Sequence, residues 1–417
     1  SFLALFYGLI TLVFFLIRPR NILSAFLLFS LLFGMIEFIR GIVLTGFPWN
    51  LIVYSFSKQL ELINITSIIG TYGLNLFCIS LFTSPAILLL ENSKKNIGVF
   101  IFFLITTIIF YSYGHFNKEK FYKAKSKVYE YKLKIIGSNI SLDRFYQKTD
   151  PLSLIEELIN LSVPNNNEKT IFIWPEGIIS DYTKDKSNQI KMLIEKNFNK
   201  NHLIIIGVNK KIMKNGTEQY FNSLSVYNSK FELIDSYDKI NLVPFGEFLP
   251  FEKVLKTIGL RSLTNNYQSF SKGEKREIME VKKQNFSLKF LPLICYEIIY
   301  SGKLLNKLGY DLIVNISEDG WFGNSIGPKQ HFDHSIFRAI ENGKYVLRSS
   351  NNGIAAIVNP LGMIEKSIKF GKSGYIELNE IKTVQTTIFS KYGNKIFGLL
   401  ILMYIFLIFS FNKIKNE

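Results

Sequence analysis

The stretch FSLKFLPLICYE, residues 286–297, is an apolar run that ends in a cysteine followed at once by tyrosine and glutamate. It reads as a strand, and Cys295 stands where that strand gives way to polar residues. Working outward, YKLKIIGSNI (131–140), TIFIWPE (170–176), HLIIIGV (202–208) and DLIVNIS (311–317) also read as strands. Between and after them PLSLIEELINL (151–161), SNQIKMLIEKNF (187–198) and IGPKQHFDHSIFRAIENG (326–343) carry helical patterns. Strands alternating with helices predict an α/β layered domain. The region, about 117–394, is long enough to bury its own core and has no internal repeat or low-complexity linker.

Outside that region the chain turns apolar. Residues 1–17, 65–90, 97–114 and 396–411 carry no charge, and 22–44 carry only Glu37 and Arg40. Runs of about 20 apolar residues span a bilayer, so five spans are predicted. The first is short and has no initiator methionine, which suggests a chain beginning inside a larger bundle. It lacks the basic start and small-residue cleavage site of a signal peptide. The basic connections RPRN (18–21) and ENSKKN (91–96) and the tail NKIKNE (412–417) fall on one side of such a bundle, with the α/β domain on the other. By the positive-inside rule the basic side is cytoplasmic and the domain lies outside the cytoplasmic membrane. Glu37 and Arg40, spaced i, i+3, are placed to pair, either at a functional site or as a structural ion pair near the interface.

Composition removes several classes. Two cysteines in 417 residues exclude a disulfide framework and a four-cysteine metal site. The four histidines show no zinc-protease spacing; His331 and His334 share a helix face, but no carboxylate stands at ligand spacing. No metal and no cofactor is expected. The net charge of +16 comes from lysine dispersed among asparagine and isoleucine, without the motifs of a nucleic-acid binder, so no nucleic-acid partner is expected.

The chemistry concentrates at three strand ends. IFIWPEG ends in Glu176, YDKINLVPFGEFLP presents Lys239 and Glu247, and PLICYE presents Cys295. Strand ends of an α/β sheet gather at one edge, where sites form. A free thiol with a pKa of about 8.5 is mostly protonated at neutral pH and needs a base or a cation beside it to react.

In that order, glutamate, lysine and cysteine resemble the nitrilase superfamily and, within it, the apolipoprotein N-acyltransferase family. WPEG, YDKINLVPFGEFLPF, CYE, DGWFGNSIGPKQHF, RAIENGKYVLRSSNNGIAAIVNPLG and, in the bundle, FIRGIVLTGFPWN are all similar to that family's signatures, over nearly the whole chain. The resemblance implies an αββα sandwich inserted before the last span: a transmembrane bundle over 1–114, a catalytic domain over 115–394, and a final helix and cytoplasmic tail over 395–417. It implies Cys295 as nucleophile, Glu176 as general base and Lys239 as the cation facing the oxyanion. Glu247 is then a partner for Lys239 or the acceptor amine, Tyr296 and Glu297 support the site, and Trp321, Phe322 and Phe145 line the acyl entrance or pack as core. The implied partners are a membrane phospholipid as acyl donor and a diacylglyceryl apolipoprotein as acceptor, at a bacterial inner membrane with the domain on the periplasmic side. Two departures stand out. The family has about three more spans, and Glu318 in SEDGWFG replaces an amide, placing an extra carboxylate beside the site. The alternatives are a membrane-anchored amidase or lipid hydrolase, in which water resolves the acyl-enzyme, and a non-catalytic lipid-binding relative.

Overall fold

The computed structural model describes residues 2–91, 93–146, 149–179, 187–214, 216–252, 257, 269–283, 286–302, 304 and 308–413. The last four residues of the basic tail lie outside them.

Among the described residues six helices form the apolar part: α1 (Phe2–Ile17), α2 (Ile22–Arg40), the single turn α3 (Leu60–Ile63), α4 (Thr66–Leu90), α5 (Lys94–Tyr122) and, toward the other end of the chain, α10 (Lys395–Lys413). Four of them, α2, α4, α5 and α10, are long and apolar enough to cross a membrane, whereas α1 is a shorter apolar helix. Local chemistry sets their starts. Asn21 caps α2 by accepting the Ser24 N–H at 3.1 Å, and Ser93 caps α5 by accepting that of Asn96 at 3.3 Å. The outer faces stay apolar, with Phe102, Ile108, Leu402 and Phe406 all exposed, as a surface solvated by lipid tails requires. Helix α4 is broken at Gly70, whose φ of +72° suits glycine, and a Cβ there would stand 2.0 Å from the Phe389 ring.

Among the described residues the α/β domain holds twelve strands. They are β1 (Ser126–Ser138), β2 (Thr170–Ile173), β3 (His202–Lys214), β4 (Thr217–Asn228), β5 (Leu233–Asp238), β6 (Met279–Lys283), β7 (Phe286–Ile294), β8 (Leu312–Glu318), β9 (Tyr345–Asn351), β10 (Ala355–Val358), β11 (Ile364–Ile368) and β12 (Gly374–Lys382). One half of the sheet runs β5-β4-β3-β2-β1-β12 and the other β6-β7-β8-β9-β10-β11. They join where Gly137 and Ser138 of β1 pair with Ser350 and Asn351 of β9. The centres, β1-β2-β3 and β7-β8-β9, are parallel, and antiparallel strands flank them. Parallel strands need cover on both faces, which is why β2, β8 and β9 are buried throughout.

Side chains alternate between two layers, as a period of two requires. Leu133, Ile135, Ile171 and Ile173 point inward with Val314, Ile316 and Leu347 to fill the space between the sheets. On the outer face of the first sheet, Phe172, Trp174, Ile204 and Ile206 pack against α6 (Pro151–Ser162) and α7 (Ser187–Asn197). Beyond the second sheet, Leu291, Leu293, Ile313 and Val346 meet Phe332, Ile336 and Phe337 of α8 (Gly327–Asn342). That third layer runs on into the helical bundle through Tyr72, Leu74 and Phe397. The result is an αββα sandwich seated on apolar helices.

Polar contacts fix the seating. The break at Gly70 frees the Thr71 N–H, which donates to Glu341 Oε1 at 2.7 Å, and the Thr71 hydroxyl donates to the same oxygen at 2.6 Å. Tyr300 and Tyr296 donate their hydroxyls to the carbonyls of Thr45 (2.7 Å) and Gly46 (3.1 Å) in the loop after α2. That loop therefore lies on the domain side, and residues 18–21 and 91–96 lie at the opposite helix ends.

Glu37 and Arg40 form a buried ion pair at 3.0 Å. Arg40 also donates to the Phe47 carbonyl at 2.7 Å and to Asn50 Oδ1 at 2.8 Å, and Tyr7 donates to Glu37 at 2.6 Å. The pair thus pins the GFPWN loop. Arg40→Leu is expected to destabilise the protein by about 3–5 kcal/mol, because it strands a buried charge. Thermal melts in detergent check this. The double variant Glu37→Leu/Arg40→Leu should recover most of the loss, and a single variant that melts like the parent contradicts the assignment.

Candidate active site

Three strand ends converge as the sequence predicts. Glu176 follows β2, Lys239 follows β5 and Cys295 follows β7, each buried with at most 8% of its surface exposed. The Lys239 ammonium lies 2.8 Å from Glu247 Oε1 and 3.4 Å from Glu176 Oε1. Asn222, in the middle of β4, donates its amide to both carboxylates at 2.7 Å. The second oxygen of Glu176 accepts the Glu318 N–H at 2.8 Å, and the second oxygen of Glu247 accepts that of Val243 at 2.8 Å. Two carboxylates thus share one ammonium and one amide donor. Burial alone would lower the Lys239 pKa, but Glu247 and Glu176 outweigh it and hold the ammonium charged well above its ordinary range. Close packing fixes the Glu176 backbone, since a Cβ at Gly207 would lie 2.4 Å from the Glu176 Cα.

Cys295 opens a tight 3-10 turn and takes a φ of +47°, a region that side-chain-bearing residues avoid. Its Sγ lies 3.9 Å from the Glu318 carbonyl, and its own carbonyl lies 3.2 Å from His331 Nε2. Burial pushes the thiol pKa well up, the Glu176 charge adds to this, and Lys239 opposes both. The resting group is therefore a thiol rather than a thiolate. Alkylation of Cys295 by iodoacetamide is accordingly expected to accelerate with pH up to about 9 with no plateau near neutrality. A plateau near pH 7 contradicts this picture.

The supporting residues separate in role. Glu297 is fully buried and holds structure together: Oε2 accepts the Ile294 N–H at 3.0 Å. Its Oε1 accepts Tyr237 OH (2.7 Å), the N–H groups of Ile240 (3.0 Å) and Asn241 (3.1 Å), and Arg276. It ties the turn that begins at Cys295 to the segment carrying Lys239. Tyr296 anchors the same turn to the bundle loop. Trp321 is exposed and lies against Phe145 with ring centroids 5.0 Å apart, whereas Phe322 packs on Trp49 at 5.3 Å. Trp49, from the bundle, therefore reaches the catalytic face, and its indole N–H donates to Gln330 at 2.9 Å.

Glu318 departs from the expectation of an extra carboxylate beside the thiol. Its side chain is turned to Arg144, to Asn351 (2.7 Å) and to the Gly320 N–H (2.7 Å). What it presents to the site is backbone: its N–H to Glu176 and its carbonyl to the thiol. Burial raises its pKa, and Arg144 pulls the other way. Sequence reasoning missed Asn222, Asp319 and Arg348. His331, weighed there only as a metal ligand, is instead bonded to Asp319 at 2.8 Å.

Residues 1–84 match the apolipoprotein N-acyltransferase N-terminal domain family, and residues 132–379 match the carbon-nitrogen hydrolase family. The chain is 30% identical over 386 residues to the apolipoprotein N-acyltransferase of Rhizobium rhizogenes, covering 90% of this chain and 71% of that one. It is 32% identical over 375 residues to that of Rickettsia prowazekii, covering 88% and 73%. Among solved structures, an amidase from Nesterenkonia sp. aligns with a TM-score of 0.41 at 12% identity, over 62% of this chain and 93% of that one. Matched in both its bundle and its αββα domain, the chain belongs to the apolipoprotein N-acyltransferase family of the nitrilase superfamily and is a membrane-integrated acyltransferase.

Proposed function

We propose that the chain moves an acyl group from a membrane phospholipid to Cys295, and then to the α-amino group of an S-diacylglyceryl cysteine at a lipoprotein N-terminus. The observation that carries this reading is the buried Glu176–Lys239–Glu247 cluster at the strand ends around Cys295. In the first half-reaction the thiol sulfur bonds to the ester carbonyl carbon while Glu176 takes its proton. Lys239 faces the oxygen that becomes negative, where a preorganised cation acts most strongly. Collapse breaks the carbon–oxygen bond, and the Glu176 proton passes to the departing lysophospholipid alkoxide. In the second, the amine attacks the thioester, Glu176 accepts a proton from nitrogen, and the thiolate leaves and is reprotonated. The products are an amide and the free thiol.

The basic residues in 18–21 and 93–96 stand at helix ends opposite the domain, which supports a placement in the bacterial inner membrane with the domain on the periplasmic side. A membrane-impermeant thiol probe should label Asn166→Cys in intact spheroplasts; labelling only after lysis reverses the orientation. The transfer itself is tested on acyl-enzyme formed from phospholipid and then freed of donor. Adding a diacylglyceryl-cysteinyl peptide with a free α-amine should discharge it to an amide, and the N-acetylated peptide should leave it intact. Free fatty acid released at the same rate with and without peptide makes the protein a hydrolase instead.

A further inference from the structure

We infer that His331, clamped by Asp319 and Arg348, is a positioning residue that donates its Nε2–H to the Cys295 carbonyl and so holds the nucleophile in its left-handed turn. The inference rests on Cys295 being the acyl carrier. Cys295 pays a conformational cost at φ +47°, and such conformations persist only where the surroundings impose them. The contact recorded on its carbonyl from outside its own turn is His331 Nε2 at 3.2 Å.

The ring has little freedom. His331 is fully buried near the start of α8, stacked on Trp49 (5.5 Å between centroids, 28° between planes) and edge-on to Phe322 (5.6 Å). Its Nδ1 lies 2.8 Å from Asp319 Oδ1 and 3.1 Å from Arg348 Nη2. Asp319 is itself held by Arg348 on both oxygens (2.9 and 2.8 Å), by Ser317 (2.8 Å) and by Ser350 (3.2 Å). Burial alone would raise the Asp319 pKa, but the charges of Arg348 and His331 hold it well below the usual range. Nδ1 therefore meets a firm acceptor and a firm donor together. As the cation, the ring donates from Nδ1 to Asp319; as the neutral tautomer, it accepts at Nδ1 from Arg348. In both of these states Nε2 carries the proton that the Cys295 carbonyl, an acceptor only, requires, whereas a neutral ring protonated at Nδ1 would set a bare nitrogen against that oxygen. Burial first, then Arg348, lowers the His331 pKa against the pull of Asp319, yet the donor to Cys295 survives either outcome. The arrangement fixes one backbone atom whatever the charge of the ring.

The test uses the full chain in phospholipid nanodiscs and reads the single-turnover acylation rate at saturating donor, the donor concentration at half-maximal rate, and the melting temperature. His331→Phe keeps the aromatic packing and removes the donor. It should slow acylation by about 10², the order that an ångström-scale misplacement costs, with the half-saturating donor concentration unchanged. His331→Gln, whose amide reaches the same carbonyl, should regain at least about tenfold of that loss. Equal losses in both variants, or a shift in half-saturation at an unchanged rate, overturn the inference. Should His331→Phe not fold, Asp319→Asn decides: slower acylation at unchanged half-saturation supports the clamp, and an unchanged rate overturns it. An absent adduct on Cys295 in the parent protein would remove the nucleophile assignment itself, whereas a normal rate in His331→Phe removes only the role of the histidine.

Discussion

Cys295→Ala should abolish acyl transfer and acyl labelling while the protein still folds and inserts. The expected loss is total because no neighbouring group replaces the sulfur: in the proposed reaction Glu176 and Lys239 prepare and stabilise a step that needs a nucleophile between them. The other cysteine, Cys78, is buried in α4 within the helical bundle, away from these charges. The cost to stability should be small, since alanine removes one atom from a site where the thiol lies a long 3.9 Å from the Glu318 carbonyl. Activity assays with radiolabelled phospholipid and a melting curve check both halves. Labelling that persists in Cys295→Ala and disappears in Cys78→Ala moves the role to the other thiol.

Lys239→Met should have the second largest effect, a loss of about 10²–10³ in acyl transfer at neutral pH. Two causes act together. The oxyanion loses its cation, and Glu176 and Glu247 are left facing each other across Asn222 without the ammonium that lies 3.4 and 2.8 Å from them. Without the ammonium the two carboxylates repel each other, and the base loses the cation beside it. Near-normal turnover would remove it from the site.

The legibility of this fold follows burial. Strand β2, the second half of β7 and the start of β8 read as apolar runs because both faces are covered there, and the ends of these strands carry Glu176, Cys295 and Glu318. Strands such as β5, with LIDSYD, and β11, with IEKSI, keep most residues exposed or half-exposed and look like loops in sequence. Losing β4 with them hid Asn222, since an asparagine within a strand carries no local signal until its amide is seen between Glu176 and Glu247. Glu318 was visible as a charge but not as a direction, which depends on Arg144, 174 residues away. His331 shows the same limit. Its spacing to His334 is legible, and the identity of the groups facing each ring nitrogen is not.

The helical part divides along the same line. Uncharged runs mark the spans, yet the break at Gly70 and the docking of Thr71 on Glu341 depend on Phe389 and α8, far along the chain. Glu37 and Arg40 are readable as a pair, and only their further bonds to Phe47 and Asn50 reveal that they hold the loop bearing Trp49. That loop is the place where the bundle meets the catalytic face.

The most direct test of Cys295 as acyl carrier is intact-mass analysis of the purified protein after incubation with phospholipid, without acceptor, followed by peptide mapping. One added acyl chain, removable by neutral hydroxylamine and located on the peptide containing Cys295, is the predicted result. An unmodified protein that nevertheless transfers acyl groups when acceptor is supplied, or an adduct located on any other residue, would contradict it.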